Sequence, residues 1–207
     1  MKTFLLIAIS ILLTGCGNNT VEQEIITPEA SPIVDPVVEL PVEPEFCPDY
    51  IMTGQSNSTR DYSHFEDITG FTMQQIGVGG LTIKQLIEDF TNNDICTDNL
   101  KGILFIHGEH DALWETPVDE YLIDVEKYRL MIADVPMYLS LVGYTTNPAK
   151  DYLFDIYRDA QLNSGYSVSY TEANRFRDWG LLDDTIHFSQ GGRDLIAEAF
   201  AEDIWNN

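Results

Sequence analysis

Three side chains in this sequence have the types and spacing that nucleophilic acyl transfer requires. Ser56 stands in Ile51-Met52-Thr53-Gly54-Gln55-Ser56-Asn57-Ser58, where an apolar run ends in a glycine, an amide and a serine, with no phosphate-loop lysine. Far downstream, Asp184 and His187 lie three residues apart in Asp183-Asp184-Thr185-Ile186-His187-Phe188-Ser189-Gln190-Gly191-Gly192. A serine hydroxyl is a weak nucleophile until a base takes its proton, and the base needs an acid to fix its tautomer. An acid three residues before a histidine can turn back in a short loop and accept from Nδ1–H, leaving Nε2 to face a serine. Each feature also has a plainer use. A serine after a strand often caps the next helix, and an isolated Asp-x-x-His is often a capped turn beside a surface histidine.

These residues need elements that bring them together, and the hydrophobic pattern supplies them. Tyr50–Thr53, Phe71–Ile76, Gly102–His107 ("GILFIH") and Val135–Val142 ("VPMYLSLV") are short, near-continuous apolar runs, as expected of strands buried on both faces. Between and after them, 81–90, 118–133, 151–162 and 192–205 carry apolar stripes at helical spacing. Strands alternating with helices predict an α/β fold: a three-layer α/β/α sandwich around a five-stranded parallel sheet of flavodoxin-like order 2-1-3-4-5. In such sheets ligands bind beyond the carboxyl ends of the strands. Ser56 follows the first strand, Gly79-Gly80 the second, and His107-Gly108-Glu109-His110-Asp111 the third, so all three segments are expected at one edge.

Taken together, "GQSN", "GVGGLT", "GEHDA" and "DTIHFSQGG" resemble, in order and spacing, the four blocks of the SGNH hydrolase superfamily. The "GQSN" form of the first block resembles the branch that holds sialate O-acetylesterases and acetylxylan-type carbohydrate esterases. The resemblance covers the chain after Phe46. It implies Ser56 as nucleophile, His187 as base and Asp184 as its orienting acid. The backbone N–H groups of Ser56 and Gly80 become oxyanion donors, and Gly80, just before a predicted helix, is expected to offer one of that helix's unpaired amides. The third block departs from the pattern: where the superfamily has Gly-x-Asn-Asp, this chain has His107-Gly108-Glu109-His110-Asp111, so His110 or His107 is expected as the third donor. No cofactor is implied. The two histidines beside Glu109 and Asp111 also suggest a metal, but alternate residues leaving a strand point apart, so no metal site is expected. His64 is expected at the surface. Trp114, Trp179, Tyr144 and Tyr166 are expected near the rim, where aromatic faces suit a sugar ring.

The remaining sequence bounds where such an enzyme works. Residues 1–16, MKTFLLIAISILLTGC, read as a signal peptide, and Leu13-Thr14-Gly15-Cys16 resembles the lipobox of bacterial lipoproteins, in which the cysteine is lipidated. Residues 17–45 carry Glu22, Glu24, Glu29, Asp35, Glu39, Glu43 and Glu45 among prolines, with no aromatic and no basic residue, which predicts an extended acidic tether. Residues 46–207 form the predicted catalytic domain. The expectation is an exported protein, lipid-anchored to the bacterial cell envelope, that meets the membrane through the anchor only. With 34 acidic against 11 basic residues the formal charge is −23, which argues against nucleic acid as a partner and favours a neutral or acyl-masked substrate. Cys47 and Cys96 remain, and in an oxidising compartment both, placed before neighbouring strands, are expected to form a disulfide. The predicted activity is serine-esterase removal of acetyl or short acyl groups from carbohydrate. The alternatives are a lipase-like or thioester-cleaving SGNH hydrolase, or a non-catalytic surface carbohydrate-binding protein on the same fold.

Overall fold

A computed structural model describes residues 47–90 and 95–207. The predicted signal peptide, Cys16, the acidic tether and Phe46 lie outside the described residues.

Five parallel strands form one sheet: β1 (Tyr50–Gly54), β2 (Met73–Gln75), β3 (Gly102–Ile106), β4 (Met137–Ser140) and β5 (Ser167–Tyr170), in the order β2-β1-β3-β4-β5. The predicted order and parallel sense are both present. β1, β3 and β4 are buried at every position, which is why they read as continuous apolar runs. Alternation within them assigns the two faces. Ile51, Ile103, Phe105 and Leu139 pack under α2 (Ile83–Asp89), α4 (Val118–Ile132) and α5 (Asp151–Leu162). Tyr50, Met52, Leu104 and Ile106 face α1 (Ser63–Thr69) and α7 (Gln190–Asn206), whose Phe65, Ile196 and Phe200 complete the opposite core. This gives the expected three layers.

Besides the single-turn α6 (Phe176–Trp179) and two 3₁₀ turns, three elements escaped the hydrophobic pattern. The edge strand β5 has no fully buried residue, and in Ser-Val-Ser-Tyr only alternate positions are apolar. The seven residues of α1 bury a single side chain, Phe65, too little to register as a period. The third, α3 (Glu109–Trp114), arises because Gly108 adopts φ 127°, a turn that breaks β3 away from strand geometry straight into a helix.

At the amino edge, Cys47 and Cys96 are joined by a disulfide with Cα atoms 4.8 Å apart, closing a loop of 49 residues beside the starts of β1 and β3. Constraining such a loop in the unfolded chain contributes on the order of 4 kcal/mol. At the opposite edge, Gly54 ends β1 with φ 128°, and a Cβ there would lie 2.0 Å from the carbonyl oxygen of Ile106. Only glycine lets the chain cross β3 and turn outward to Ser56.

Candidate active site

Beyond the carboxyl ends of β1, β2 and β3 lies an open cavity of about 430 Å³, lined by Gln55, Ser56, Gly79, Gly80, His110, Leu113, Ile186 and His187. Sequence-distant segments therefore meet where parallel-sheet topology puts a ligand site.

His187 is held by its own loop. Leu182 and Phe188 pair as an isolated antiparallel bridge, and Asp183 N–H donates to the His187 carbonyl at 2.8 Å. Inside this turn Asp184 Oδ1 accepts the N–H groups of Ile186 and His187, both at 2.9 Å, while Oδ2 lies 2.7 Å from His187 Nδ1. The contact with His187, reinforced by the two backbone donors, holds the Asp184 carboxyl well below the usual carboxylate range. An ionised Asp184 requires the proton on Nδ1 and leaves Nε2 to accept. Two residues further on, Ser189 caps α7, its hydroxyl accepting from Gly192 N–H at 3.4 Å, so the turn is anchored at both ends. The neighbouring Asp183 has another partner: its Oδ2 lies 3.5 Å from Arg193 Nη1.

Ser56 is half-buried at the cavity floor between two fully enclosed amides, Gln55 and Asn57. Ser56 and His187 line the same cavity, and their side chains are not hydrogen-bonded to each other in this structure. Such contacts are often long or absent without substrate and tighten when it binds. Among the described residues, the N–H groups of Ser56, Gly79 and Gly80 have no protein acceptor. They are therefore available to an oxyanion. The expected reason was wrong for Gly80: α2 starts at Ile83 behind the Thr82–Gln85 capping box, so Gly80 is two residues before the cap, and its free amide belongs to the preceding loop, where Gly80 adopts φ 76°.

The two histidines of the third block part company. His110, on the first turn of α3, lines the cavity with no hydrogen-bond partner for its ring among the described residues, and burial lowers its pKa. A neutral ring can donate one N–H. His107, the other candidate oxyanion donor, does not reach the cavity: it is fully buried, its ring stacked between Phe105 and Tyr121 at 5.4 and 5.9 Å. It follows the last residue of β3 on the face of Ile103 and Phe105, and the α3 turn carries His110 away from it. Among the described residues no three or more His, Cys, Asp or Glu side chains are grouped to hold a metal ion. Sequence reasoning gave Glu109 no role, yet it is 1 % exposed and accepts from Gln55 and Asn57, the residues flanking Ser56.

The aromatic residues also separate. Trp114 is 70 % exposed and its indole lies against His110, with ring centroids 5.8 Å apart. Tyr166 precedes β5 at the amino edge, where its hydroxyl donates to Glu126 at 2.6 Å, so it is not at the rim. Tyr144 is held under Arg158 and Arg177 with its hydroxyl on Asp155, and Trp179 packs on Phe176. His64 is half-buried and lies 3.4 Å from Glu198.

No protein-family model matches the sequence, and no curated protein does. Solved structures do match. A Streptococcus pneumoniae protein described as a platelet activating factor aligns with a TM-score of 0.62 at 16 % identity, over 77 % of this chain and 85 % of its own. A protein from Slackia heliotrinireducens described as an SGNH hydrolase gives 0.58 at 13 %, over 77 % and 100 %. An acetylxylan esterase from Geobacillus stearothermophilus gives 0.53 at 14 %, over 76 % and 94 %. The fold is that of the SGNH hydrolases. On that fold the four sequence blocks occupy the carboxyl edge of the sheet, and the cavity lies among the first, second, third and last of them.

Proposed function

We propose that the chain is a serine esterase that removes acetyl or other short acyl groups from carbohydrate. The observation that carries this reading is the oriented Asp184–His187 pair facing one cavity with Ser56 and the unpaired amides of Ser56 and Gly80. His187 Nε2 takes the Ser56 proton as Oγ bonds to the acyl carbon, and the carbonyl oxygen becomes an oxyanion held by the free amides and His110. The ester C–O bond then breaks, His187 returns the proton to the departing sugar oxygen, and an acyl-serine remains. Water repeats the sequence, giving a carboxylic acid and free Ser56. The short, open cavity bounded by Leu113 and Ile186 suits a small acyl group, and the exposed face of Trp114 beside it suits a sugar ring.

The same reading has the protein exported and lipid-anchored through Cys16 at the cell envelope. Two features support that: the Leu-Thr-Gly-Cys ending of the first apolar run, and a Cys47–Cys96 disulfide of the kind that persists in oxidising compartments. The test is release of acetate from a panel of acetylated saccharides, beside p-nitrophenyl acetate, octanoate and palmitate, by wild-type protein and Ser56→Ala. Activity on acetylated saccharides and on acetate, falling with chain length and lost in Ser56→Ala, is expected. Preference for palmitate favours a lipase-like enzyme, and saccharide binding without turnover favours a binding protein.

A further inference from the structure

Glu109 is a carboxylate enclosed by protein, and among the described residues no cation pairs with it. Burying a charge without a counter-ion is costly, so its surroundings must supply compensation. They do so with amides. Gln55 Nε2 donates to Oε2; Asn57 Nδ2 donates to Oε1 at 3.3 Å, and Gly143 N–H approaches the same oxygen at 3.5 Å.

The backbone dictates which way these amides point. Gln55 Oε1 accepts His110 N–H at 3.0 Å, and Asn57 Oδ1 accepts Phe188 N–H at 2.9 Å. With both carbonyl ends so occupied, both NH₂ ends must face Glu109. Both carboxylate oxygens therefore have to accept, and a proton on either would meet a donor. Asn57 Nδ2 also reaches the Ile186 carbonyl at 3.4 Å. Through Gln55 and Asn57, then, one carboxylate fixes the residues on either side of Ser56. Asn57 in turn grips Ile186 and Phe188, the residues on either side of His187, and Gln55 holds the amide of His110.

We infer that Glu109 is the positioning residue of this site: as an all-acceptor carboxylate it locks Ser56, the His187 loop and His110 into one frame. It touches no reacting atom. The inference rests on the esterase reading of Ser56 and His187, and its test separates the two. Burial raises the Glu109 pKa while the surrounding donors oppose the rise, with burial the larger effect. The orientation of the amides still leaves no acceptor for a proton within the frame.

Glu109→Gln keeps the shape and replaces one acceptor by NH₂, which must face the NH₂ of Gln55 or Asn57. Misplacement of the nucleophile by about 1 Å costs on the order of a hundredfold, so kcat for p-nitrophenyl acetate should fall by about that factor with KM little changed. Asn57→Asp should also be damaging, because it turns a carboxylate oxygen toward Glu109 while keeping the Phe188 contact. The double variant Glu109→Gln/Asn57→Asp again pairs one donor with one acceptor, and should recover at least about tenfold over either single variant. A role limited to filling space predicts no such rescue. Labelling of Ser56 by a sulfonyl fluoride should follow the same order, wild type fastest and the double variant above both singles. Wild-type protein that neither hydrolyses the ester nor labels at Ser56 overturns the esterase reading itself. If wild type does both and Glu109→Gln matches it, or the double variant is no better than the worse single, only the present inference fails. Should Glu109→Gln not fold, the double variant decides: gain over Asn57→Asp supports the frame, and a folded double variant without gain overturns it.

Discussion

Two aspartate–histidine pairs lie at the same end of this molecule, and they differ in nearly every respect that matters to chemistry. Asp184 and His187 are three residues apart at the surface, 2.7 Å from Oδ2 to Nδ1, with the carboxylate further held by two backbone N–H groups. His107 and Asp111 are four apart and wholly buried; Nδ1 lies 3.5 Å from Oδ2 without a hydrogen bond, and neither ring nitrogen makes a well-formed hydrogen bond, only a backbone contact with Leu81. Asp111 Oδ2 accepts Ile83 N–H at 3.0 Å and so steadies the start of α2 behind the Gly80 loop. Burial drives the His107 pKa down to about 3 and that of Asp111 up to about 6, so the inner pair is not an ion pair at neutral pH. Proximity of an acid and a histidine is common to both. What suits one of them to general-base chemistry is a preorganised turn that keeps the acid ionised, together with a ring that lines the cavity.

The sharpest way to break the comparison is to change Asp184 to Asn. The Asn Oδ1 can still accept from Ile186 and His187, so the turn survives, but its NH₂ now faces Nδ1. The ring must then carry its proton on Nε2, where it cannot take one from Ser56. A drop in kcat of about 10⁴-fold is expected, with cooperative unfolding retained and a melting temperature lowered only modestly by loss of the charged acceptor. Asp183→Asn, which touches Arg193 instead, should leave kcat within a few-fold of wild type. The reverse order in an ester-hydrolysis assay would move the acid to Asp183.

A smaller effect compares the two histidines of the third block. His110 faces the cavity and is kept neutral by burial, so it can donate to an oxyanion that exists only during reaction. His110→Ala should lower kcat by roughly a hundredfold with KM little changed, and His110→Asn should recover part of it. His107→Gln should cost no rate directly. Equal, small effects from alanine at both positions would leave the oxyanion to the amides of Ser56 and Gly80 alone.

Much of this was legible in the sequence, for reasons that also explain what was not. Strands buried on both faces announce themselves as apolar runs, and topology then fixes which edge Ser56, Gly80 and the third block share. The acid-to-histidine spacing of 184 and 187 is local, so its turn could be anticipated. The separation of His107 from His110 was not, because it depends on Gly108 bending the chain into α3, and a glycine in sequence does not announce a positive φ. The frame around Glu109 was hidden for a different reason. Its partners, at 55, 57 and 143, are far from it in sequence, and a buried unpaired carboxylate looks in sequence like any surface glutamate. Tyr166 was misplaced because β5 has no apolar run, so the end of the strand it occupies could not be assigned.

The least effect on rate and the finest test of the comparison come from His107→Leu. Leucine nearly matches the imidazole in size and removes two buried nitrogens that make no well-formed hydrogen bond, so stability at pH 7 should be unchanged or slightly raised. The difference should then depend on pH. The folded-state pKa of His107 lies below its unfolded value, so the unfolded chain binds the extra proton. Wild-type stability is therefore lost as pH falls below the ordinary histidine range, by about 1.4 kcal/mol per unit until the pH nears the folded value of about 3. Asp111, with its pKa raised to about 6, has the opposite sign: its contribution is present below its ordinary value and is lost as pH rises through about 6. In wild-type protein the two largely offset each other between about pH 6 and 4. Removing His107 uncovers the Asp111 contribution alone, so urea unfolding of both proteins at pH 7, 6, 5 and 4 should give a stability gain for His107→Leu that grows steadily as pH falls. A gain independent of pH would mean that His107 takes a proton in the folded state and pairs with Asp111, which would make the inner pair an ion pair after all and erase the contrast with the outer one.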